Sequence, residues 1–186
     1  MERLAINNIQ KLNELKGELE YERATSLYLK LRKLEKEDSN YTSLRKHLRK
    51  LILKYEQDHW SDESKIEDKQ IEESDLAESI VQSENEFYQR RKELIREKLK
   101  ESGLNQNDLA KILGHRKGYM SELINGLRPF SKEDLVIINR LFGIKLEDLI
   151  PPFIKQDKAK QVRNALKSIP NNKIKLSKKD FDLYIS

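Results

Sequence analysis

The chain has 186 residues, 37% of them charged, with a formal net charge of +5 and no cysteine. Disulfides and thiolate zinc sites are thereby excluded, which fits a reducing cytosol. No apolar run approaches the roughly 18 residues of a membrane span, and the opening MERLAINNIQ lacks a signal peptide's apolar core, so a cytoplasmic protein of one or two small domains, away from membranes, is expected.

The charge is placed unevenly. Residues 1–55 hold 13 Lys and Arg against 8 Asp and Glu, residues 56–86 hold 2 against 12, and residues 87–186 hold 22 against 12. An acidic stretch therefore separates two basic ones.

From the N-terminus, Leu4, Ile9, Leu12 and Leu15 predict a short first helix. After Gly17, Tyr21, Ala24, Leu27, Tyr28, Leu31 and Leu34 recur on one helical face, and Tyr41, Leu44, Leu48, Leu51, Ile52 and Tyr55 on another. The polar link Glu37-Asp38-Ser39-Asn40 is short, so these helices are expected to be antiparallel neighbours. Two helices bury little on their own. Tyr21, Leu27, Tyr28, Leu31, Leu48 and Tyr55 are accordingly candidate partner contacts, because tyrosine buries a ring while keeping a polar end. The alternative is that these side chains close the hairpin internally or pack it on the rest of the chain.

Residues 57–86 read as an acidic linker. A solvated spacer is the expectation for such a charge block, and an acidic strip facing a basic partner is the sharper alternative. Trp60 is expected to be a packing anchor, and Asp75 to Phe87 can run as helix into the next element.

Residues 87–152 carry the densest pattern. Phe87, Leu94, Ile95 and Leu99 mark a helix ending at Ser102-Gly103. Gln106 to Gly126 then reads as helix, tight turn, helix, the layout that places a second helix in the DNA major groove. Leu109, Ile112, Leu113, Met120 and Leu123 form the expected buried seam, with Ala110 small at the crossing. Gly114 falls where the turn needs positive φ. Asn105 or Asn107 is placed to cap the first helix, with Asp108 in its first turn, and Asn125-Gly126 stops the second. Leu135, Ile138, Leu141 and Phe142 mark a further helix opened by Ser131, with Glu133 and Asp134 in its first turn. Leu146, Leu149 and Ile150 mark a last short one, stopped by Pro151-Pro152.

Gln106-x-x-Leu109-Ala110, then Gly114, then Ser121-x-Leu123-x-Asn125-Gly126 resembles the Cro/repressor-type helix-turn-helix family over residues 90 to 151. The resemblance implies an all-α fold, an N-terminal helical hairpin plus a five-helix lambda-repressor-like DNA-binding domain. It also implies that Gln106 clamps a phosphate, that Lys117, Gly118, Tyr119 and Glu122 face the groove, and that Ser121, Asn125 and Arg128 meet phosphate or the rim. Lys can donate to guanine O6 and N7, and Glu can accept from cytosine N4. Arg116, Lys117 and Arg128 supply charge for the backbone. Gly118 departs by lacking a reading side chain, and His115 stands where a small apolar residue is common.

Glu18-x-x-Tyr21-x-x-Ala24 and the run Leu51-Ile52-Leu53-Lys54-Tyr55-Glu56, upstream of such a domain, are similar to HigA-like antitoxins. That similarity implies a type II antitoxin that neutralises a small basic HigB-like toxin cleaving messenger RNA. It further implies a homodimer that represses its own operon at double-stranded operator DNA. The acidic linker and the Lys-rich tail, residues 153–186, are longer than that pattern. In the tail, Ala159 to Leu166 is expected as a helix, and Phe181, Leu183, Tyr184 and Ile185 hint at a short strand or a docking segment.

Catalysis finds no support. His47, His59 and His115 are scattered, with no HExxH spacing and no Gly-rich phosphate loop, so no enzyme activity, metal or cofactor is expected. Two further possibilities stand beside the antitoxin: a stand-alone regulator with an N-terminal oligomerisation domain, and an adaptor whose helix-turn-helix only docks protein.

Overall fold

A computed structural model describes residues 6–36, 38–62, 64, 66–154 and 156–169. Among the described residues there are helices and connecting turns and no strand, as the all-α expectation required. The helices are α1 (Ile6–Ile9), α2 (Glu18–Leu34), α3 (Tyr41–His59), α4 (Asp68–Glu101), α5 (Gln106–Ile112), α6 (Lys117–Ile124), α7 (Lys132–Phe142), α8 (Leu146–Leu149) and α9 (Gln156–Ser168). They divide into two compact units, Glu2–Gln82 and Ser83 onward, with the boundary inside α4.

In the first unit α2 and α3 form the hairpin. Ala24, Leu27 and Leu31 of α2 and Tyr41, Leu48, Leu51, Ile52 and Tyr55 of α3 are buried, with Ile6, Ile9 and Leu15 buried beside them. The α2 start is tied to the α3 end: Tyr55 Oη donates to Glu18 Oε1 at 3.0 Å, and Tyr21 Oη donates to Glu56 Oε1 at 2.9 Å. The two tyrosine rings stack with centroids 5.0 Å apart. At the other end Arg45 Nε donates to Glu35 Oε2 at 2.6 Å.

This geometry changes the outlook for the partner candidates. Leu27, Leu31, Leu48 and Tyr55 lie inside the hairpin's own core, while Tyr21 and Tyr28 are half-buried and hydrogen-bonded within it. The apolar faces of α2 and α3 close on each other.

The acidic stretch also differs from a bare spacer. It is helical from Asp68, and Ala77, Ile80 and Val81 are buried. Trp60 caps α3 and is half-buried, as a packing anchor should be.

In the second unit five helices are built around one core: the C-terminal part of α4, then α5 to α8. Ile95, Leu99, Leu109, Ala110, Met120, Leu123, Ile124, Phe130, Leu135, Ile138, Ile144 and Leu149 form it. Both central caps are reciprocal. Asn105 Oδ1 accepts from Asp108 N while Asp108 Oδ2 accepts from Asn105 N, and Ser131 with Asp134 repeats the arrangement on α7. Gly114, at φ 69°, makes the turn between α5 and α6.

Four expected core positions face outward instead. Ile112 is 45% exposed because Leu109, Ala110 and Leu113 already define the inward face of the short α5. Leu141 is 49% exposed for the same reason, flanking a face set by Leu135, Ile138 and Phe142. At α8 only Leu149 is buried; Leu146 and Ile150 are exposed. The tail helix occurs as α9, longer at both ends than Ala159 to Leu166. Phe181, Leu183, Tyr184 and Ile185 lie outside the described residues.

Candidate DNA interface

The recognition helix α6 is set by its two faces. Met120, Leu123 and Ile124 are buried and fix it on the core. Arg116, Lys117, Gly118 and Tyr119, at its N-terminal end, are exposed. The sequence put Lys117 and Tyr119 on an outward side, and the structure brings them together with Arg116 at the tip. Gln106 starts α5 and is half-buried. Gly118 has nothing within 4 Å of where a Cβ would stand, so this surface is open.

The C-terminal end of α6 is more constrained. Asn125 Nδ2 donates to Ser121 O at 2.9 Å, and Asn125 Oδ1 accepts from Lys92 Nζ of α4 at 2.8 Å. Asn125 and Ser121 are half-buried and bound to each other, so they build the helix end as well as lying near its rim. Gly126, at φ 69°, turns the chain back, and the N–H groups of Leu127 and Arg128 both donate to Glu122 O, at 2.8 and 3.3 Å. This turn sets Arg128 beside α6. Its Nε donates to Glu122 Oε2, and its guanidinium carbon lies 5.2 Å above the Tyr119 ring. Glu122 and Arg128, read from the sequence as a base contact and a phosphate contact, are therefore bonded to each other.

His115 has a defined role in packing. Its Nε2 lies 3.0 Å from Asp134 Oδ1, and its ring lies 5.1 Å from Tyr119. Asp134 thus joins the turn before α6 to the cap of α7.

Sequence reasoning missed Lys92 and Arg91. Arg91 is 2% exposed, donates from Nη1 to Leu149 O at 3.2 Å, and sits over the rings of Tyr88 and Phe130 at 4.9 and 5.0 Å. It ties α4 to α8. A charged residue in a charged helix carries no local signal for such burial.

Two short helices crossing at a glycine turn, the second exposing basic residues, define a helix-turn-helix of the class that enters the major groove. A family model described as "Helix-turn-helix" matches residues 95–149, so this part of the chain is a helix-turn-helix domain of the Cro/repressor type. The match leaves residues 1–94 and 150–186 outside it. No curated protein and no solved structure matches the chain.

Proposed function

We propose that this protein is a sequence-specific transcriptional regulator that docks α6 in the major groove of operator DNA. The observation that carries this reading is the split of α6 into a buried face and an exposed basic tip, Arg116 to Tyr119, within a matched helix-turn-helix. Lys117 is the base reader; Arg116, Gln106 and Arg128 hold the backbone. A homodimer belongs to the proposal, since paired recognition helices read half-sites, and exposed Leu141, Leu146 and Ile150 offer apolar surface to join two copies. A gel-shift titration with the DNA directly upstream of its own gene tests it. Preferential retardation of that duplex over a scrambled one supports the proposal; equal retardation refutes it.

The finer proposal is a HigA-like antitoxin that also binds a small basic toxin. Its support is the order of the two resemblances and the presence of a separate N-terminal unit. Because Leu27, Leu31, Leu48 and Tyr55 are core residues, the toxin would meet the outer surface of that unit, where Leu29 and Leu53 are exposed. Co-expressing residues 1–82 with the neighbouring open reading frame tests this. Growth rescue and co-purification are expected. A neighbour without toxicity would leave the stand-alone regulator.

A further inference from the structure

We propose that Glu122 and Tyr119 form a clamp that fixes Arg128 for contact with DNA, so that Glu122 is a positioning residue and not a base reader. The inference rests on the DNA-binding reading above and assigns how that site is built.

Three independent contacts converge on Arg128. The backbone of Leu127 and Arg128 is held to Glu122 O, which fixes where the side chain begins. The Glu122 carboxylate accepts from Nε, which fixes its direction. The Tyr119 ring lies under the guanidinium at 5.2 Å, which fixes its plane. The glycine at position 126, in the left-handed region, permits the reversal that brings residue 128 back to residue 122.

The chemistry gives this arrangement a purpose. A guanidinium has five N–H donors in a planar fork. Using Nε for Glu122 leaves the two terminal nitrogens, the pair that grips a phosphate or a guanine edge in bidentate fashion. An arginine held in one rotamer loses less conformational freedom on binding than a mobile one. The clamp also explains an acidic residue on a surface meant for a polyanion. Glu122 is neutralised by Arg128, and its side chain is 15% exposed while Tyr119 is 40% exposed. A carboxylate so enclosed is poorly placed to accept from cytosine N4.

The clamp and a simple charge argument predict opposite signs. Removing an acidic side chain from a DNA-facing surface should tighten binding if charge alone matters. If Glu122 aims Arg128, removing it should weaken binding. The experiment is a double-mutant cycle on the full chain, titrating Glu122→Ala, Arg128→Ala and the double variant against a labelled duplex from directly upstream of the gene and against its scrambled counterpart. Thermal melting of each variant first establishes that it is folded. Glu122→Ala is expected to weaken both duplexes roughly fivefold with their ratio unchanged, and the double variant to bind no worse than Arg128→Ala. Tyr119→Phe should bind like the parent, because the ring is kept, whereas Tyr119→Ala should weaken both duplexes. Tighter binding by Glu122→Ala, or a changed ratio that adds to the Arg128→Ala effect, would overturn the clamp. A parent protein that binds neither duplex would overturn the DNA-binding reading itself, which separates the two failures.

Discussion

Asp134 shows how much one side chain can hold together. It is buried, its Oδ2 accepts from Ser131 N to complete the α7 cap, and its Oδ1 faces His115 in the turn before the recognition helix. Ser131→Ala removes only the cap acceptor and is expected to cost about 1 kcal/mol in urea unfolding. Asp134→Ala removes its own half of the reciprocal cap and the bridge to His115 together, and should cost more, about 1–3 kcal/mol, with weaker DNA binding because the turn is released. Equal losses for the two variants would mean that the His115 contact contributes nothing. The caps were legible because an Asn or Ser followed three residues later by Asp is a local pattern. The Glu122–Arg128, Lys92–Asn125 and Arg91–Leu149 contacts were not, since side chains that meet across the fold leave no mark in spacing.

At the scale of elements, periodicity found the helices and much of what they bury. It placed Leu123, fully buried at the centre of the seam, and Leu123→Ala is expected to cost about 2–5 kcal/mol. It misplaced Ile112 and Leu141, because a repeat of three and four identifies a face but not its width; neighbouring helices decide which flanking residues are covered. The α2–α3 hairpin has a chemistry that periodicity could not show. Burial, and then the hydrogen bond to Glu56, pushes the Tyr21 phenol up to about 12, and burial with the bond to Glu18 pushes Tyr55 up as well. Burial, Glu78 and Glu18 raise the Glu22 carboxyl in turn. The phenols ionise less readily in the folded hairpin than in the unfolded chain. Their contribution is therefore complete below the ordinary tyrosine value of 10.0 and is lost as pH rises towards about 12. Circular-dichroism melts should show the first unit losing stability steeply above that ordinary value, and Tyr21→Phe with Tyr55→Phe should flatten the loss. A raised carboxyl acts in the same direction in its own range, so Glu22→Gln should stabilise the hairpin at neutral pH and lose that advantage in acid. An unchanged alkaline profile in the double phenylalanine variant would contradict this account.

Across the whole molecule, the domain signal in the sequence was charge, and charge overruled a quieter pattern. Residues 56–86 hold 12 acidic residues, which argued for a solvated spacer. Yet Ala77, Val81, Glu84, Tyr88, Arg91, Ile95 and Leu99 recur every three or four residues as the buried face of α4. The helix-turn-helix was legible because its glycines, caps and small residue act locally; the packing of α4 depends on what lies over it. The division at Gln82 and Ser83 carries a prediction. Residues 83–186 expressed alone should melt cooperatively and retain affinity for DNA, and a fragment that shows no cooperative transition would mean that the first unit completes its core. The central claim is that the tip of α6 reads base sequence, and Lys117 tests it most directly. Fluorescence anisotropy of the full chain and of Lys117→Ala, each against the upstream duplex and a scrambled one at fixed salt, gives the specificity ratio. The account predicts that Lys117→Ala loses about 1–3 kcal/mol at the upstream duplex and much less at the scrambled one, collapsing the ratio. An unchanged ratio would contradict it.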